Sequence, residues 1–242
     1  MTGCIVGWAH SKFGKLEGQD VEALIVEAST NAMADAGVGP EDIDAIYLGS
    51  FNNGFADQDF PSSLVLQADE RFRFKPATRV ENACATGSAA IHQGLNFLEA
   101  KQGEIVLVVG VEKMTDTPGP DIGGILMKAS YLKEDSEIEG GFAGVFGQIA
   151  QQYYQKYGDQ SDALAKIAAK NHKNGVGNPW AQLRKDLGYE FCREISDKNP
   201  IVAGPLKRTD CSLVSDGAAA VVLTDMETAL TMKKAVIFRS RS

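Results

Sequence analysis

The stretch that decides the fold runs from residue 80 to residue 90 and reads VENACATGSAA. A short strand is predicted over residues 78–81, and the alanine- and glycine-rich run 85–101 favours a helix. The almost unbroken apolar run 105–111 suits a strand that is covered on both faces. This order predicts an α/β sheet in which Cys84 lies where the first strand passes into the helix.

The predicted position of Cys84 makes it a candidate nucleophile. The first turn of a helix has unpaired backbone N–H groups and the positive end of the helix dipole, and both favour thiolate over thiol. The same N–H groups can receive the oxyanion that forms when a thioester carbonyl is attacked. On spacing alone, a buried and inert cysteine at a strand end fits the pattern equally well.

The same alternation of strands and helices extends in both directions. Upstream, buried strands are predicted over residues 4–7 and 45–48, and the helix between them is predicted to begin after Asp20 and end at Gly37. Downstream, the apolar run 217–224 predicts a last strand of the same sheet.

The chain between these parts has a different character. Proline and glycine predict a loop-rich stretch over residues 117–124, and helices are predicted over 142–157 and 161–172. We therefore predict one α/β domain of residues 1–114 and 207–232, interrupted by a largely helical insertion (loop) domain of residues 115–206.

The bulk properties exclude several classes. Hydrophobic residues make up 44% and charged residues 23%, which is typical of a globular protein. The net charge of −8 argues against nucleic acid as the main partner. No apolar run has the length of a membrane span, and the N-terminus lacks a signal-peptide pattern, so we predict a cytoplasmic protein. The four cysteines have no metal-ligand spacing, which predicts reduced thiols and no metal site.

Three motifs resemble those of the thiolase superfamily, and they occur in its order. Residues 80–90, with the strand 105–111 and the run EKMT at 112–115, resemble the nucleophile region. Residues 166–182, which include the tripeptide NPW, are similar to the insertion domain of the sterol-carrier-protein-type branch. The run SDGAAA at 215–220 is similar to the turn and strand that close a thiolase N-terminal domain.

The resemblance implies a fold and a reaction. The fold is a thiolase-like N-terminal domain with a mixed, mostly parallel sheet and helices on both faces. The reaction is that of an acetyl-CoA acetyltransferase, in which Cys84 is acylated by an acyl-CoA substrate and no cofactor is bound permanently. The acyl group then passes to coenzyme A or to an acyl-CoA carbanion. Thiolases pair through the strand before the nucleophile, which implies a homodimer formed by residues 78–82.

The sequence departs from the thiolase pattern in two ways. Glu81 stands where many relatives carry asparagine, and a carboxylate that faced the site would oppose thiolate formation. A second copy of the domain, which carries the catalytic histidine and a second cysteine, is not recognised. We therefore predict that this is the N-terminal half, that residues 233–242 begin the second domain, and that the chain alone is inactive unless a separate C-terminal half completes it.

The other candidate residues are predicted to be structural. His92 follows Cys84 by roughly two helical turns, which is too far for direct proton transfer. His10 is predicted in a loop and His172 near a helix end, whereas Cys4, Cys192 and Cys211 are predicted to be unreactive. No insertion residue is assigned to coenzyme A, and the group Tyr153, Tyr154 and Tyr157 is predicted to pack a helix.

Two alternatives stay open on the sequence. A ketoacyl synthase has a related fold and a cysteine at the same strand-to-helix junction. A non-catalytic half, or a subunit that requires a partner chain, would explain why one half of the catalytic groups is not recognised.

Overall fold

The structure is a computed structural model that describes residues 3–240. Contacts divide the chain into two compact units, which we describe separately. The first unit extends through Asp116 and resumes at Ser215, and the second comprises Thr117–Val214. The contacts thus place residues 207–214 in the second unit, whereas the limits of the proposed insertion domain, 115–206, stay a prediction.

The described chain alternates strands and helices. The strands, numbered in chain order, are β1 (Cys4–His10), β2 (Ala45–Gly49), β3 (Ala77–Val80), β4 (Ile105–Glu112), β5 (Ile201–Ala203), β6 (Leu206–Lys207), β7 (Gly217–Thr224) and β8 (Val236–Ile237). The helices are α1 (Val21–Ala36), α2 (Thr86–Glu99), α3 (Gly119–Met127), α4 (Leu132–Asp135), α5 (Gly141–Tyr157), α6 (Ser161–Gly177), α7 (Gly188–Arg193) and α8 (Met226–Ala229).

The first unit contains a six-stranded sheet in the order β3-β2-β4-β7-β1-β8. Strand β2 pairs in parallel with both β3 and β4, and the pairings β4/β7, β7/β1 and β1/β8 are antiparallel. The short strand β8 lies in the segment that we expected to begin a second domain, and here it extends this sheet. The predicted fold class, α/β with a mixed sheet, is confirmed, and β3, β2 and β4 form the parallel part of that sheet.

Helices cover both faces of this sheet, and the side chains of β4 alternate between the two apolar cores that result. Leu107 and Val109 belong to the larger core, beneath α1. Val106 and Val108 belong to a smaller core, which includes Leu95 of α2. Such two-sided burial explains why the strand reads as a continuous apolar run.

Local signals set the ends of α1 as the sequence predicted. The Asp20 side chain accepts a hydrogen bond from the Ala23 N–H at 2.8 Å, which caps the first turn. Gly37 ends the helix with φ of 74°, a left-handed conformation that glycine adopts without steric cost.

The structure corrects three local predictions. Helix α3 occupies part of the stretch that we expected to be a loop, because Pro118 and Pro120 are compatible with a helix start. Helix α6 continues to Gly177 instead of ending near residue 172. His10 is the last residue of β1 and not a loop residue, because β1 pairs with β7 along its whole length. Over the described residues, no helix has the length and hydropathy to span a membrane.

A buried carboxylate joins β4 to β7 within the first unit. Asp216 is 0% exposed and receives hydrogen bonds from the Lys113 ammonium at 2.7 Å and from the Met114 and Thr115 N–H groups at 2.8 Å. The Thr115 hydroxyl at 2.7 Å and the Leu16 N–H at 3.0 Å complete its shell. Burial alone would raise the pKa of Asp216, but these donors outweigh it and lower the pKa to about 2.

We expect Asp216→Asn to lower the free energy of unfolding by about 3 kcal/mol, because Lys113 would stay buried beside an uncharged amide. Asp116→Asn is the matched control, since Asp116 is an exposed partner of the same lysine at 3.1 Å. This control should lower the free energy of unfolding by about 1 kcal/mol or less. Urea unfolding of the three proteins measures both values, and equal costs would contradict the assigned role of Asp216.

The same carboxyl group predicts a pH dependence. The pKa of Asp216 lies below its usual value of 3.8, so its contribution is fully present above pH 3.8 and is lost as the pH falls through about 2. The stability difference between the natural chain and Asp216→Asn should therefore be constant at mildly acidic pH and shrink towards pH 2. A difference that persists at pH 2 would argue against this assignment.

Candidate active site

Three parallel strands end at the same edge of the first unit's sheet. Strand β2 ends at Gly49, β3 at Val80 and β4 at Glu112. Gly49 pairs with Val80 on one side and with Gly110 on the other. The carboxyl edge of parallel strands is where α/β proteins place their sites. Cys84 follows β3 in a 3₁₀ turn, Ala83–Ala85, that leads directly into α2. The structure thus places Cys84 at the strand-to-helix junction, as the sequence indicated.

Cys84 is exposed in this position. The N-cap of α2 is Ala85, whose methyl group cannot cap the first turn. The N-terminal end of the helix dipole therefore acts near a thiol that reagents can reach. Cys84 is therefore not buried, as the alternative left open by the spacing required, and its reactivity stays a prediction.

Residues 81–86 form a strained turn around Cys84, which we call the nucleophile turn. Ala83 has φ of 46°, in the left-handed region that disfavours residues with a Cβ. The Thr86 hydroxyl accepts from the Asn82 N–H at 2.8 Å and donates to the Ala83 carbonyl at 2.6 Å. The Glu81 carboxylate accepts from the Ala83 N–H. Glu81 therefore serves as a local hydrogen-bond acceptor within the turn.

A second polar cluster lies at the same edge of the sheet. The Glu112 carboxylate accepts from the N–H groups of Phe51 and Asn52. The Arg79 guanidinium donates to the carbonyls of Ser50 and Phe51, each at 3.0 Å. Burial raises the pKa of Glu112, while the two N–H groups and the charge of Arg79 act in the opposite direction. We call Glu112 and Arg79 the loop clamp, because together they hold residues 50–52.

The other three cysteines are less accessible than Cys84. Cys4 and Cys192 are buried, and Cys211 is half-buried. Burial raises the pKa of all three thiols, and nearby carboxylates add to the effect at Cys4 and Cys211. The raised pKa values make these thiols weaker nucleophiles near neutral pH, and their structural role stays a prediction.

The three histidines of the described chain lie on three different elements. His92 lies in α2, eight positions beyond Cys84, and is half-buried. His10 ends β1, where its Nδ1 lies 2.8 Å from the Ser11 carbonyl, and His172 lies in the second unit. Among residues 3–240, no group of three or more His, Cys, Asp or Glu side chains could hold a metal ion.

The second unit contains an apolar cavity that the sequence did not reveal. Its volume is about 760 Å³, and its walls come from helices α3, α5 and α6. Phe146, Ile149 and Tyr153 lie at helical spacing along α5 and are each at least half exposed. The Tyr153 ring packs against Tyr157 of the same helix, with ring centroids 4.5 Å apart, and Tyr153 also lines this cavity. A cavity of this size and lining is typical of a site for a small organic ligand.

Comparison with known proteins identifies the family. The family model described as "Thiolase, N-terminal domain" matches residues 4–189, which is most of the chain. The chain therefore belongs to the thiolase family, and this result favours the thiolase interpretation over the ketoacyl synthase.

Individual relatives agree with this assignment. The chain is 35% identical to an acetyl-CoA acetyltransferase of Methanothermobacter thermautotrophicus, over 90% of this chain and 56% of that protein. It is 28% identical to bovine sterol carrier protein 2, over 90% of this chain and 40% of the relative. The chain thus spans about half the length of the curated relatives that it matches.

A solved structure supports the fold independently. The structure of human mitochondrial 3-ketoacyl-CoA thiolase in complex with CoA superimposes with a TM-score of 0.75. It matches 95% of this chain and 66% of that chain, at 18% sequence identity. At this identity the likeness shows a shared fold.

We predict that Cys84 is the cysteine that reacts first with iodoacetamide near neutral pH. It is exposed at a helix N-terminus, whereas burial raises the pKa of the other three thiols. Limited alkylation followed by peptide mass spectrometry ranks all four cysteines in one sample. Modification of Cys192 or Cys211 well before Cys84 in the folded protein would show that the nucleophile is wrongly assigned.

Proposed function

We propose that this chain supplies the nucleophilic half of a thiolase-type acyltransferase that acts on acyl-CoA thioesters. The observation that carries the proposal is the exposed Cys84 at the N-terminus of α2, in a chain of the thiolase family. The names of the relatives, which include acetyl-CoA acetyltransferase, support an acyl-CoA substrate.

The proposed first half-reaction is acylation of Cys84. The thiolate sulfur attacks the thioester carbonyl, and the tetrahedral intermediate collapses to acyl-cysteine with coenzyme A thiolate as the leaving group. Backbone N–H groups at the start of α2 are suited to stabilise the oxyanion of this intermediate. In the second half-reaction, a coenzyme A thiolate or an acyl-CoA carbanion attacks the acyl-cysteine carbonyl and releases the Cys84 thiolate.

The second half-reaction needs a base that the candidate residues do not supply. Formation of the carbanion requires removal of a proton from the α-carbon, and a positioned base contributes roughly 10²–10⁴-fold to such a step. His92 is two turns along α2, and His10 and His172 lie on other elements. We therefore propose that the base lies in a C-terminal half, for which the greater length of the relatives leaves room, whether that half is continuous with this chain or separate.

We also propose that the chain forms a homodimer through β3. This strand is at the edge of the six-stranded sheet, so one side of its backbone is open to pairing. Phe74 and Phe60 lie before β3 in sequence, with left-handed φ of 69° and 59°. Their exposed fractions of 102% and 70% are unusual for phenylalanine and are typical of residues that a partner covers.

We expect acyl-CoA to label Cys84 of the purified chain without sustained turnover. Intact mass spectrometry after incubation with acetyl-CoA should show one added acetyl group, which Cys84→Ala abolishes and Cys211→Ala retains. Thiolysis of acetoacetyl-CoA by the chain alone should be at least roughly 100-fold slower than with a C-terminal thiolase half added. Full turnover by the chain alone would refute the division of catalytic groups between two halves.

The proposed dimer gives a separate prediction. Phe74→Asp should weaken self-association, because it puts a charge into the apolar part of the interface. Leu230→Asp is the matched control, since Leu230 is 80% exposed and follows α8, outside the β3 edge. Sedimentation equilibrium measures both variants. A natural chain that is a stable, folded monomer at micromolar concentration would refute the proposed dimer.

A further inference from the structure

The strain at Ala83 raises the question of what holds the nucleophile turn in place. A left-handed conformation costs a residue with a Cβ roughly 1–2 kcal/mol, so it persists only where surrounding contacts enforce it. The bonds of Glu81 and Thr86 are local and move with the turn. Contacts with other elements are therefore needed to fix the turn relative to the sheet.

One such contact is the close approach of β2 to the start of α2. A Cβ at Gly49 would lie 2.9 Å from Thr86 Cγ2, closer than side chains normally approach. The Ser50 N–H donates to the Val80 carbonyl at 3.3 Å, one residue before the nucleophile turn. Residues 49–50 therefore contact the chain at both ends of the turn that carries Cys84, so a shift of these residues would move the turn.

The loop clamp holds these residues from two directions. Glu112 at the end of β4 fixes the N–H groups of Phe51 and Asn52. Arg79 in β3 fixes the carbonyls of Ser50 and Phe51. Asn52 and Asn53 both have left-handed φ, of 45° and 46°, a conformation that asparagine adopts more readily than most residues.

We propose that Glu112 and Arg79 are positioning residues for the nucleophile. By holding residues 50–52 against β3, they keep Gly49 against Thr86 and so orient the turn that presents Cys84 to the helix N-terminus. This inference rests on the proposed role of Cys84. It assigns a role to the first residue of the EKMT motif and to Arg79, which the sequence analysis had left without one.

The test measures the alkylation rate of Cys84 in the full chain, which does not require acyl transfer. We expect Glu112→Ala to slow iodoacetamide labelling roughly two- to fivefold, the size of a lost helix-dipole interaction. Glu112→Gln keeps an oxygen acceptor for an N–H group and should fall between Glu112→Ala and the natural chain. Arg79→Lys keeps the charge but lacks the two-pronged donor, so it should also slow labelling.

Two controls distinguish a change in the position of Cys84 from partial unfolding of the first unit. Glu104→Ala removes an exposed glutamate immediately before the opposite end of β4 and should leave the Cys84 rate unchanged. Cys4 is 0% exposed within the same unit, so its labelling reports loss of structure. Partial unfolding exposes Cys4 to iodoacetamide. Loss of positioning slows the labelling of Cys84 and leaves Cys4 protected.

The outcomes are decisive in either direction. Slower labelling of Cys84 with Cys4 protected supports the proposal. An unchanged Cys84 rate in folded Glu112→Ala and Arg79→Lys, or slowing seen only where Cys4 also reacts, overturns it. If Glu112→Ala does not fold, Glu112→Gln and Arg79→Lys decide. A clamp effect without acylation by acyl-CoA would reject the proposed function alone, and acylation without a clamp effect would reject this inference alone.

Discussion

The first unit depends on one buried carboxylate. Asp216, just before β7, binds Lys113 and the backbone that follows β4. It also accepts a hydrogen bond from the Leu16 N–H. A charge in this position would be costly if any partner were missing, so the bonds fix the end of β4 closely. Glu112 is the residue before Lys113. The same interaction that ends β4 therefore sets where Glu112 meets the loop after β2.

The sequence predicted the parts of this arrangement that local patterns encode. The apolar runs of β4 and β7, the cap at Asp20 and the junction at Cys84 depend on neighbouring residues, and the structure has them where they were expected. The role of Asp216 and the loop clamp could not be predicted in this way. Their bonds join residues that are far apart in sequence, such as Glu112 with Phe51, and no periodicity signals such a pair. Helix α3 was missed because proline and glycine, which usually mark loops, are also tolerated at a helix start.

The four thiols differ in how far the fold exposes them. Cys4 and Cys192 are enclosed by apolar neighbours, and burial keeps their protons bound at neutral pH. Cys84 differs in position more than in chemistry, because it stands outside the core at the start of a helix. It directly follows Ala83, the strained residue of the nucleophile turn, so the exposed thiol lies where the chain needs support from other contacts.

For the acyl-CoA reaction that we propose, the distribution of groups around Cys84 indicates how the catalytic steps are divided. The groups that we propose to position the thiol (Thr86, Gly49, Glu112 and Arg79) all belong to the first unit. The proposed attack on a thioester needs the Cys84 sulfur and donors for an oxyanion, and the backbone N–H groups at the start of α2 are suited to act as those donors. Chemistry at the α-carbon needs a base, and the histidines of this chain lie on other elements or two turns away. Acylation should therefore respond to changes in the first unit, whereas carbon–carbon bond chemistry should respond to a base that lies elsewhere. On this division the two half-reactions are separable, since different parts of the structure limit them.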